Sequence, residues 1–211
     1  GRVIARSILA EVPNGNYAII KGDKGDPNAL FLLEGMMDVI GDAVAAGDVT
    51  IVGEAFTDGW KPDNAQKNME QILTANNNNV DAVLSENDGM AGGAIAALEA
   101  QGLAIPVSGQ DGDHAALNRV ARGTQLVSGW KDARQLGAAA GNIAAALASG
   151  VSMSDIDGSV KWSGGAKGVE MDAIFLAPTP ISASNIDVVI DAGHIAKDKV
   201  CAGSMAGVSG C

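Results

Sequence analysis

Strand-like runs alternate with helix-like runs along most of the 211 residues, and this alternation restricts the fold more than any other feature of the sequence. A strand, a helix and a second strand in succession form a βαβ unit, which places both strands parallel in one sheet. The strands predicted over 17–20 and 49–56, joined by a helix over 28–47, form one such unit. The sequence therefore predicts an α/β fold, an open and mostly parallel sheet with helices on both faces.

The same patterns predict the remaining elements. Further helices are expected over 3–10, 63–75, 88–101, 114–121, 133–149 and 185–192, and further strands over 80–84, 105–108, 124–130, 160–162 and 173–176. After Gly150 the pattern becomes less regular, and Pro178 and Pro180 interrupt the chain.

Charge and apolar run lengths exclude two classes of function. Fourteen Lys and Arg against 25 Asp and Glu give a net charge of -11, the wrong sign for a surface that neutralises phosphates, so we expect no nucleic-acid partner. The longest apolar runs are far shorter than the roughly 20 residues that cross a bilayer. The chain starts at Gly1 without an initiator methionine or an export signal, so we expect a processed or truncated end.

Sequence signatures of enzymes and metal sites are missing. We find no Gly-x-Gly-x-x-Gly before a helix, no phosphate-binding loop and no Gly-x-Ser-x-Gly turn. His114 and His194 have no His or Cys at metal-ligand spacing, and the turn at Asp155-x-Asp157-Gly158 lacks the other ligands of a calcium loop. We therefore expect no catalytic residue, no metal and no cofactor.

The two cysteines lie close together at the end of the chain. Cys201 and Cys211 bound a segment rich in Gly, Ala and Ser, and this composition predicts a flexible tail over 201–211. A disulfide between them and two free thiols are both compatible with the sequence.

Polar or aromatic side chains follow five predicted strands in succession. These loops contain Asp26-Pro27-Asn28, Asp58-Gly59-Trp60, Glu86-Asn87-Asp88, Gln110-Asp111 and Trp130-Lys131. In an open parallel sheet, ligands bind at the carboxyl ends of the strands. Amide, carboxylate and ammonium groups form hydrogen bonds with hydroxyls, and an indole stacks on the C–H face of a ring. This combination suits a neutral polyol.

Each of these side chains also has a purely structural alternative. Asn28, Asp88 and Asp113 are suitable helix N-caps, Trp60 is compatible with a core position or an exposed loop, and Lys131 with a solvated charge. Five strand ends in succession favour a shared site, although capping also places Asn and Asp after strands.

Five stretches of the chain carry a family resemblance. They are Asp58-Gly59-Trp60-x-Pro62-x-Asn64-Ala65, Leu73-Thr74-Ala75-Asn76-Asn77-Asn78, Asn87-Asp88-x-x-Ala91-Gly92-Gly93-Ala94-Ile95, Ser108-Gly109-Gln110-Asp111 and Gly123-Thr124-Gln125. These motifs and their spacing resemble the periplasmic D-xylose-binding proteins of sugar ABC importers. The resemblance extends from Gly1 to about Lys199, is strongest over 58–131 and is weak after Gly150.

This resemblance implies specific roles for five residues and a division of the chain. Asn28, Asn87, Asp111 and Lys131 would contact the sugar hydroxyls, and Trp60 would stack on the pyranose. Residues 1–131 and 155–200 would form the C-terminal lobe of a type I periplasmic binding protein, while the helix and crossover at 132–154 would pack on a first lobe that this chain lacks.

The resemblance also implies a function and partners. The chain would bind D-xylose or a related pyranose in the periplasm and would present it to an ABC permease. The apolar stripe of Leu136, Ile143 and Leu147 would need a first-lobe segment or another chain to cover it. Alternatives are the effector-binding lobe of a sugar-responsive transcription regulator, a sugar-sensing subunit for a kinase or chemoreceptor and, with least support, a sugar enzyme.

Overall fold

The elements of the chain follow the predicted alternation of helices and strands. The computed structural model describes residues 1–165 and 167–211. The helices are α1 (Arg2–Glu11), α2 (Pro27–Ala46), α3 (Pro62–Ala75), α4 (Asp88–Ala100), α5 (His114–Arg122), α6 (Ala133–Ala148), α7 (Asp187–Asp191) and α8 (Lys197–Val200). The strands are β1 (Gly15–Lys21), β2 (Val49–Phe56), β3 (Ala82–Ser85), β4 (Ser108–Asp111), β5 (Val127–Trp130), β6 (Val160–Trp162), β7 (Met171–Ala173) and β8 (Thr179–Ile181).

The chain divides into two compact units. The larger unit contains Gly1–Trp130 and Thr179–Cys211, and the smaller contains Lys131–Pro178. In the larger unit, parallel pairing gives the strand order β2-β1-β3, and a second sheet has the order β4-β5-β8 with β8 antiparallel. A parallel bridge between Val83 and Val107 links β3 to the segment just before β4. The predicted α/β fold with a mainly parallel sheet is therefore confirmed.

Alternating side chains of β1 enter different hydrophobic clusters. Tyr17 and Ile19 pack in a cluster with side chains of α1 and α2, whereas Ala18 and Ile20 pack with side chains of α3 and α4. A strand presents successive side chains to opposite faces, so these helix pairs cover opposite faces of the sheet, as predicted. A third cluster joins α5, α7 and α8 to the ends of β5 and β8.

Some bounds differ from the prediction for identifiable reasons. The strand predicted over 105–108 is shifted: Pro106 has no N–H to donate, and regular pairing starts only at Ser108. The short strand β8, which contains Pro180, was not predicted. Proline is tolerated there because β8 lies at the edge of its sheet.

The smaller unit contains α6 and a two-stranded antiparallel sheet of β6 and β7. Lys161 on β6 forms an ion pair with Asp172 on β7 at 2.8 Å. The division that the resemblance implies, with 155–200 in the same lobe as 1–131, stays a prediction. The smaller unit extends from Lys131 to Pro178 and includes β6 and β7, which pair with each other.

The carboxyl-terminal segment also differs from the flexible tail that its composition predicted. Cys201 and Cys211 form a disulfide, which selects one of the two alternatives that the sequence left open. Val208 between them is buried in the third hydrophobic cluster, and the Met205 N–H donates to the Ala121 carbonyl at 2.9 Å. Packing and a covalent link therefore hold this segment on the larger unit.

Within the described residues, no helix combines the length and the apolar character that a membrane crossing requires.

Candidate functional site

The strand order of the larger unit places a topological switch point between β1 and β3. From β1 the chain moves to β2 on one side, and later strands add on the other side, starting with β3. Ligands of open α/β sheets bind at the carboxyl ends of the strands where the order reverses in this way. Gly22 follows β1 and Asn87 follows β3 at this point, so the candidate site begins with the loops that contain them.

Trp60 lies directly against the Gly22 backbone. Three atoms of the six-membered ring of the indole lie 2.1–2.3 Å from the position that a Cβ would occupy at Gly22. The indole is half-buried and also packs against the hydrophobic cluster of α3 and α4. Trp60 is thus neither a fully buried core residue nor a free loop residue, which leaves part of the indole exposed to solvent.

The backbone at Trp60 is strained. Its φ is +58°, a left-handed conformation that a bulky residue rarely adopts, and it follows Gly59 at φ +62°. Such a conformation persists only where surrounding contacts hold it, and it is concentrated at functional sites.

Hydrogen bonds from the loop after β1 hold the Trp60 turn. The Gly22 carbonyl accepts from the Thr57 N–H at 3.0 Å. The Asp23 carboxylate accepts from the Gly59 N–H at 2.6 Å and from the Gly25 N–H at 2.7 Å. These two donors lower the pKa of the exposed Asp23 carboxyl, so it stays ionised and keeps both bonds at neutral pH.

Asn87 caps α4 and still has hydrogen-bonding groups for a ligand. Its Oδ1 accepts from the Met90 N–H at 2.8 Å, which satisfies one of the free donors at the helix start. Within the described residues its Nδ2 has no partner, so the amide hydrogens remain for another acceptor. Gly89 packs beside the start of α3, because a Cβ there would lie 3.5 Å from Pro62 Cγ and 3.8 Å from Asn87 Oδ1.

Glu86 is fully buried between the two loops. Its Oε2 accepts from the Gly22 N–H at 2.6 Å. Its Oε1 is buried and has no hydrogen-bond partner among the described residues. Burial raises the pKa of this carboxyl from 4.5 to about 7, since desolvation outweighs the Gly22 N–H and the positive charges of Lys21 and the Gly1 amino group.

Asp111 ends β4 in a second strained conformation. Its φ is +111°, and its Cα lies in register with that of Trp130 at the end of β5. The next residue, Gly112, has no room for a side chain, because a Cβ there would lie 2.2 Å from the Trp130 indole. The loop that contains Asp111 is therefore closely packed on β5.

The buried carboxylate of Asp88 accepts hydrogen bonds from the loop that follows Asp111. Its Oδ2 accepts from the Gly112 and Asp113 N–H groups, each at 2.9 Å, and from the Ser128 hydroxyl at 2.6 Å. Its Oδ1 accepts from Gln125 Nε2 at 2.8 Å. Burial still raises the pKa of Asp88 from 3.8 to about 6, because desolvation outweighs these donors.

The two remaining predicted site residues are exposed. Asn28 lies in the first turn of α2, where its N–H donates to the N-cap Asp26 at 2.9 Å, so Asn28 itself is not the cap. Its side chain reaches solvent beyond the loop after β1. Lys131 is exposed and begins the smaller unit. The roles of all five residues toward a sugar remain predictions.

Sequence reasoning missed the groups that support these side chains. Glu86 was recognised only as part of a strand-end loop, Asp88 only as part of that loop or as an N-cap, and Asp23 and Gly22 were not singled out. Of the N-cap alternatives, neither Asn28 nor Asp88 is a cap, and Asp113 lies at the cap position of α5 without a side-chain hydrogen bond. The pattern of apolar and polar residues would not have shown that Glu86 is buried, because carboxylates are rarely buried and a charged residue is normally expected at the surface.

A cavity of about 610 Å³ lies away from this site in the larger unit. It is lined mainly by apolar side chains, among them Leu98, Leu103, Ile105 and Leu126, which precede β4 and β5 or end α4. None of the predicted site residues contributes to it. The described residues hold no group of three or more side chains suited to a metal ion.

Comparisons with known proteins match the chain to one family. The model of the periplasmic binding protein domain matches residues 1–152. The chain is 44% identical over 152 residues to the D-xylose-binding periplasmic protein of Escherichia coli (strain K12), which covers 71% of this chain and 46% of that protein. It is 38% identical over 203 residues to the protein of the same name from Haemophilus influenzae, covering 95% of this chain and 60% of that protein.

A solved structure shows the same fold. An ABC transporter solute binding protein from Clostridium phytofermentans with bound β-D-glucose superposes with a TM-score of 0.79 at 26% identity, over 94% of this chain and 67% of that one. The chain spans about half the length of the curated relatives it matches. Since the family model covers well over half of its residues, this chain belongs to the periplasmic binding protein family.

Proposed function

We propose that this chain binds a pyranose sugar, D-xylose or a close relative of it, at the carboxyl ends of its parallel strands. The observation that carries the proposal is the setting of Trp60. Its backbone is strained, and its half-exposed indole packs against Gly22 at the switch point of the sheet. An indole presents a flat apolar face that suits the C–H face of a sugar ring. The names of the Escherichia coli and Haemophilus influenzae relatives support D-xylose as the first sugar to test.

In this proposal, four polar side chains would select the hydroxyls. Asn87 offers its Nδ2 hydrogens as donors, and Asn28 adds a second exposed carboxamide at the start of α2. Asp111 provides a carboxylate that accepts from hydroxyls, and Lys131 provides an ammonium that donates to them. Hydrogen bonds to charged groups contribute more than neutral ones, typically about 1.5–3 kcal/mol each.

The chain supplies one half of a two-lobed cleft in this proposal. The alignments cover 46% and 60% of the two D-xylose-binding relatives, and the part of them that this chain does not match would close on the sugar from the other side. The closed protein would deliver its sugar to an ABC permease, and the names of the relatives support a periplasmic location. Binding without catalysis is the activity that we assign.

The proposal predicts that Trp60→Ala loses most of the affinity for D-xylose. Loss of a central aromatic contact should weaken binding by about tenfold or more. The measurement is an NMR titration of the 211-residue chain with D-xylose, which follows the indole N–H signal of Trp60 and the side-chain amides of Asn28 and Asn87. The same titration is made by calorimetry on a hybrid in which this chain replaces the matching part of the Escherichia coli relative.

The matched control is Trp162→Ala, a tryptophan of the smaller unit that packs on Phe175 with ring centroids 5.9 Å apart. This variant should bind D-xylose as the wild type does. If neither the chain nor the hybrid binds D-xylose, or if Trp60→Ala binds as tightly as Trp162→Ala, the proposal is wrong.

A further inference from the structure

Gly22 is contacted from two directions, by Glu86, which is not among the proposed sugar contacts, and by Trp60, which is. Glu86 Oε2 accepts from its N–H at 2.6 Å, and the Trp60 indole covers its Cα face at 2.1–2.3 Å from the Cβ position. The Gly22 carbonyl accepts from the Thr57 N–H, three residues before Trp60. A shift of Glu86 would therefore move Gly22, and a shift of Gly22 would move the Trp60 indole.

We propose that Glu86 is a positioning residue of the sugar site: its buried carboxyl fixes Gly22, and Gly22 fixes the indole of Trp60 on which the sugar stacks. This inference rests on the proposed sugar-binding function. Glu86 acts without touching the sugar, since the whole residue is inaccessible to solvent.

The unpartnered oxygen makes this arrangement sensitive to the charge of Glu86. A neutral carboxyl with one free oxygen is tolerated in a buried position, but an ionised carboxylate with an unsatisfied oxygen has a large desolvation cost. The ionised form therefore favours opening of the loop at Gly22 so that water reaches Oε1. In the open loop, the Gly22 backbone no longer packs against the Trp60 indole.

The charged groups near Glu86 do not remove this cost. Lys21 on β1 is buried, but its ammonium is 3.0 Å from Glu54 Oε1 on β2 and 4.0 Å from the centroid of the Phe56 ring. The Gly1 amino group at the start of α1 lowers the pKa of Glu86 less than Lys21 does. Burial outweighs both charges, so Glu86 changes its charge near neutral pH.

The test is the pH dependence of D-xylose affinity for the wild type and for Glu86→Gln, measured by NMR titration of the 211-residue chain between pH 6 and 8. We expect the affinity of the wild type to fall about fivefold as the pH rises, a size typical of coupling between two sites. Glu86→Gln keeps an acceptor for the Gly22 N–H and does not ionise, so its affinity should be nearly independent of pH. Asp88 and the histidines are present in both proteins, so the difference isolates Glu86.

Two further variants distinguish the positioning of Trp60 by Glu86 from a general effect of nearby charge. Glu54→Gln removes a half-exposed carboxylate from the same neighbourhood and should keep the wild-type pH profile. Gly22→Ala should displace the indole and weaken binding about tenfold at every pH, because a Cβ does not fit beside Trp60. Equal pH profiles for the wild type and Glu86→Gln would overturn the inference while leaving sugar binding intact.

A measurement without sugar keeps the inference testable if D-xylose does not bind. The indole N–H signal of Trp60 should shift with a midpoint near pH 7 in the wild type, where Glu86 titrates, and should not shift in Glu86→Gln. A signal that moves equally in both proteins overturns the role of Glu86. Absence of D-xylose binding, by contrast, overturns the proposed function, while this signal still tests whether Glu86 fixes the indole of Trp60.

Discussion

At the scale of single residues, the unusual backbone angles coincide with predicted ligand contacts. Trp60 and Asp111 have positive φ, and the other non-glycine residues with positive φ in the described chain are Asn77 and Asn78, which follow α3. Asn adopts a φ near +60° readily in turns, whereas the bulky Trp60 and the φ of +111° at Asp111 depend on neighbouring contacts. Each such conformation costs of order 1–3 kcal/mol, so the hydrogen bonds of Asp23 and Asp88 serve to keep both side chains in place.

The buried carboxyls predict that the chain is more stable at pH 5 than at pH 8. Glu86 and Asp88 have pKa values of about 7 and about 6 in the folded protein, above the ordinary 4.5 and 3.8. The folded state therefore holds protons that the unfolded chain has already released. Their stabilisation is complete below about pH 4 and is lost as the pH rises through 6 to 7.

Each carboxyl can contribute roughly 3 kcal/mol at most, since one pKa unit corresponds to about 1.4 kcal/mol. The measurement is the midpoint of thermal unfolding across this range. Glu86→Gln should flatten the curve between pH 5 and pH 8 by removing one of the two groups. The lowered pKa of Asp23 acts in the opposite direction, but only as the pH falls below about 4. A wild type that unfolds at a higher temperature at pH 8 than at pH 5 would contradict this prediction.

At the scale of elements, local patterns predicted most helices and strands, because helices depend on apolar residues three or four apart and strands on simple alternation. Strand β2 was predicted with its observed bounds, and α2, α3, α4 and α6 to within a residue at most ends. The sequence also identified the strand ends as the candidate site, since sheet geometry alone brings them to one edge. The short elements β8 and α8 were missed because three or four residues carry too little pattern.

What the sequence could not predict are contacts between distant parts of the chain. Glu86 and Gly22 are 64 positions apart, and Asp88 and Ser128 are 40 apart. A carboxylate in a polar loop looks solvent-exposed until tertiary structure buries it. The pairing of β6 with β7 likewise joins two segments that the pattern of either strand alone does not connect.

The packing of α3 against α4 yields a prediction about one glycine. A Cβ at Gly93 would lie 2.1 Å from the Pro62 carbonyl oxygen and 3.0 Å from the Gln66 N–H nitrogen, both backbone atoms. Gly93→Ala should therefore force the helices apart and lower the free energy of unfolding by about 2 kcal/mol, more than the roughly 1 kcal/mol gained in helix propensity.

The matched control is Gly41→Ala in α2, where nothing lies within 4 Å of the Cβ position. This variant should raise the free energy of unfolding by about 0.5–1 kcal/mol, because alanine loses less backbone entropy in a helix. Urea unfolding of both variants measures the difference. Gly93→Ala with a stability equal to or above that of Gly41→Ala would show that the helices do not need glycine at their contact.

At the scale of the whole molecule, the two units differ in how much apolar surface they bury. The larger unit contains all three hydrophobic clusters of buried residues. Helix α6 of the smaller unit has no buried residue, and Leu136 and Leu147 are each 47% exposed. An apolar stripe on a helix normally packs against another element. We therefore expect α6 to be covered by the part of the relatives that this chain does not contain.

This expectation predicts that a charge on the apolar stripe of α6 lowers the free energy of unfolding only when the segment that covers the stripe is present. Leu136→Asp should change the free energy of unfolding of the 211-residue chain by less than about 0.5 kcal/mol, as for other exposed positions. In the hybrid with the Escherichia coli relative, the same change would bury an unpaired carboxylate and should cost about 2 kcal/mol or more. Val188→Asp in α7, a partly exposed position of the larger unit, should have the same small effect in both proteins. An equal effect of Leu136→Asp in both would mean that nothing covers α6 in the longer protein, and the two-lobed arrangement would then lack its expected contact.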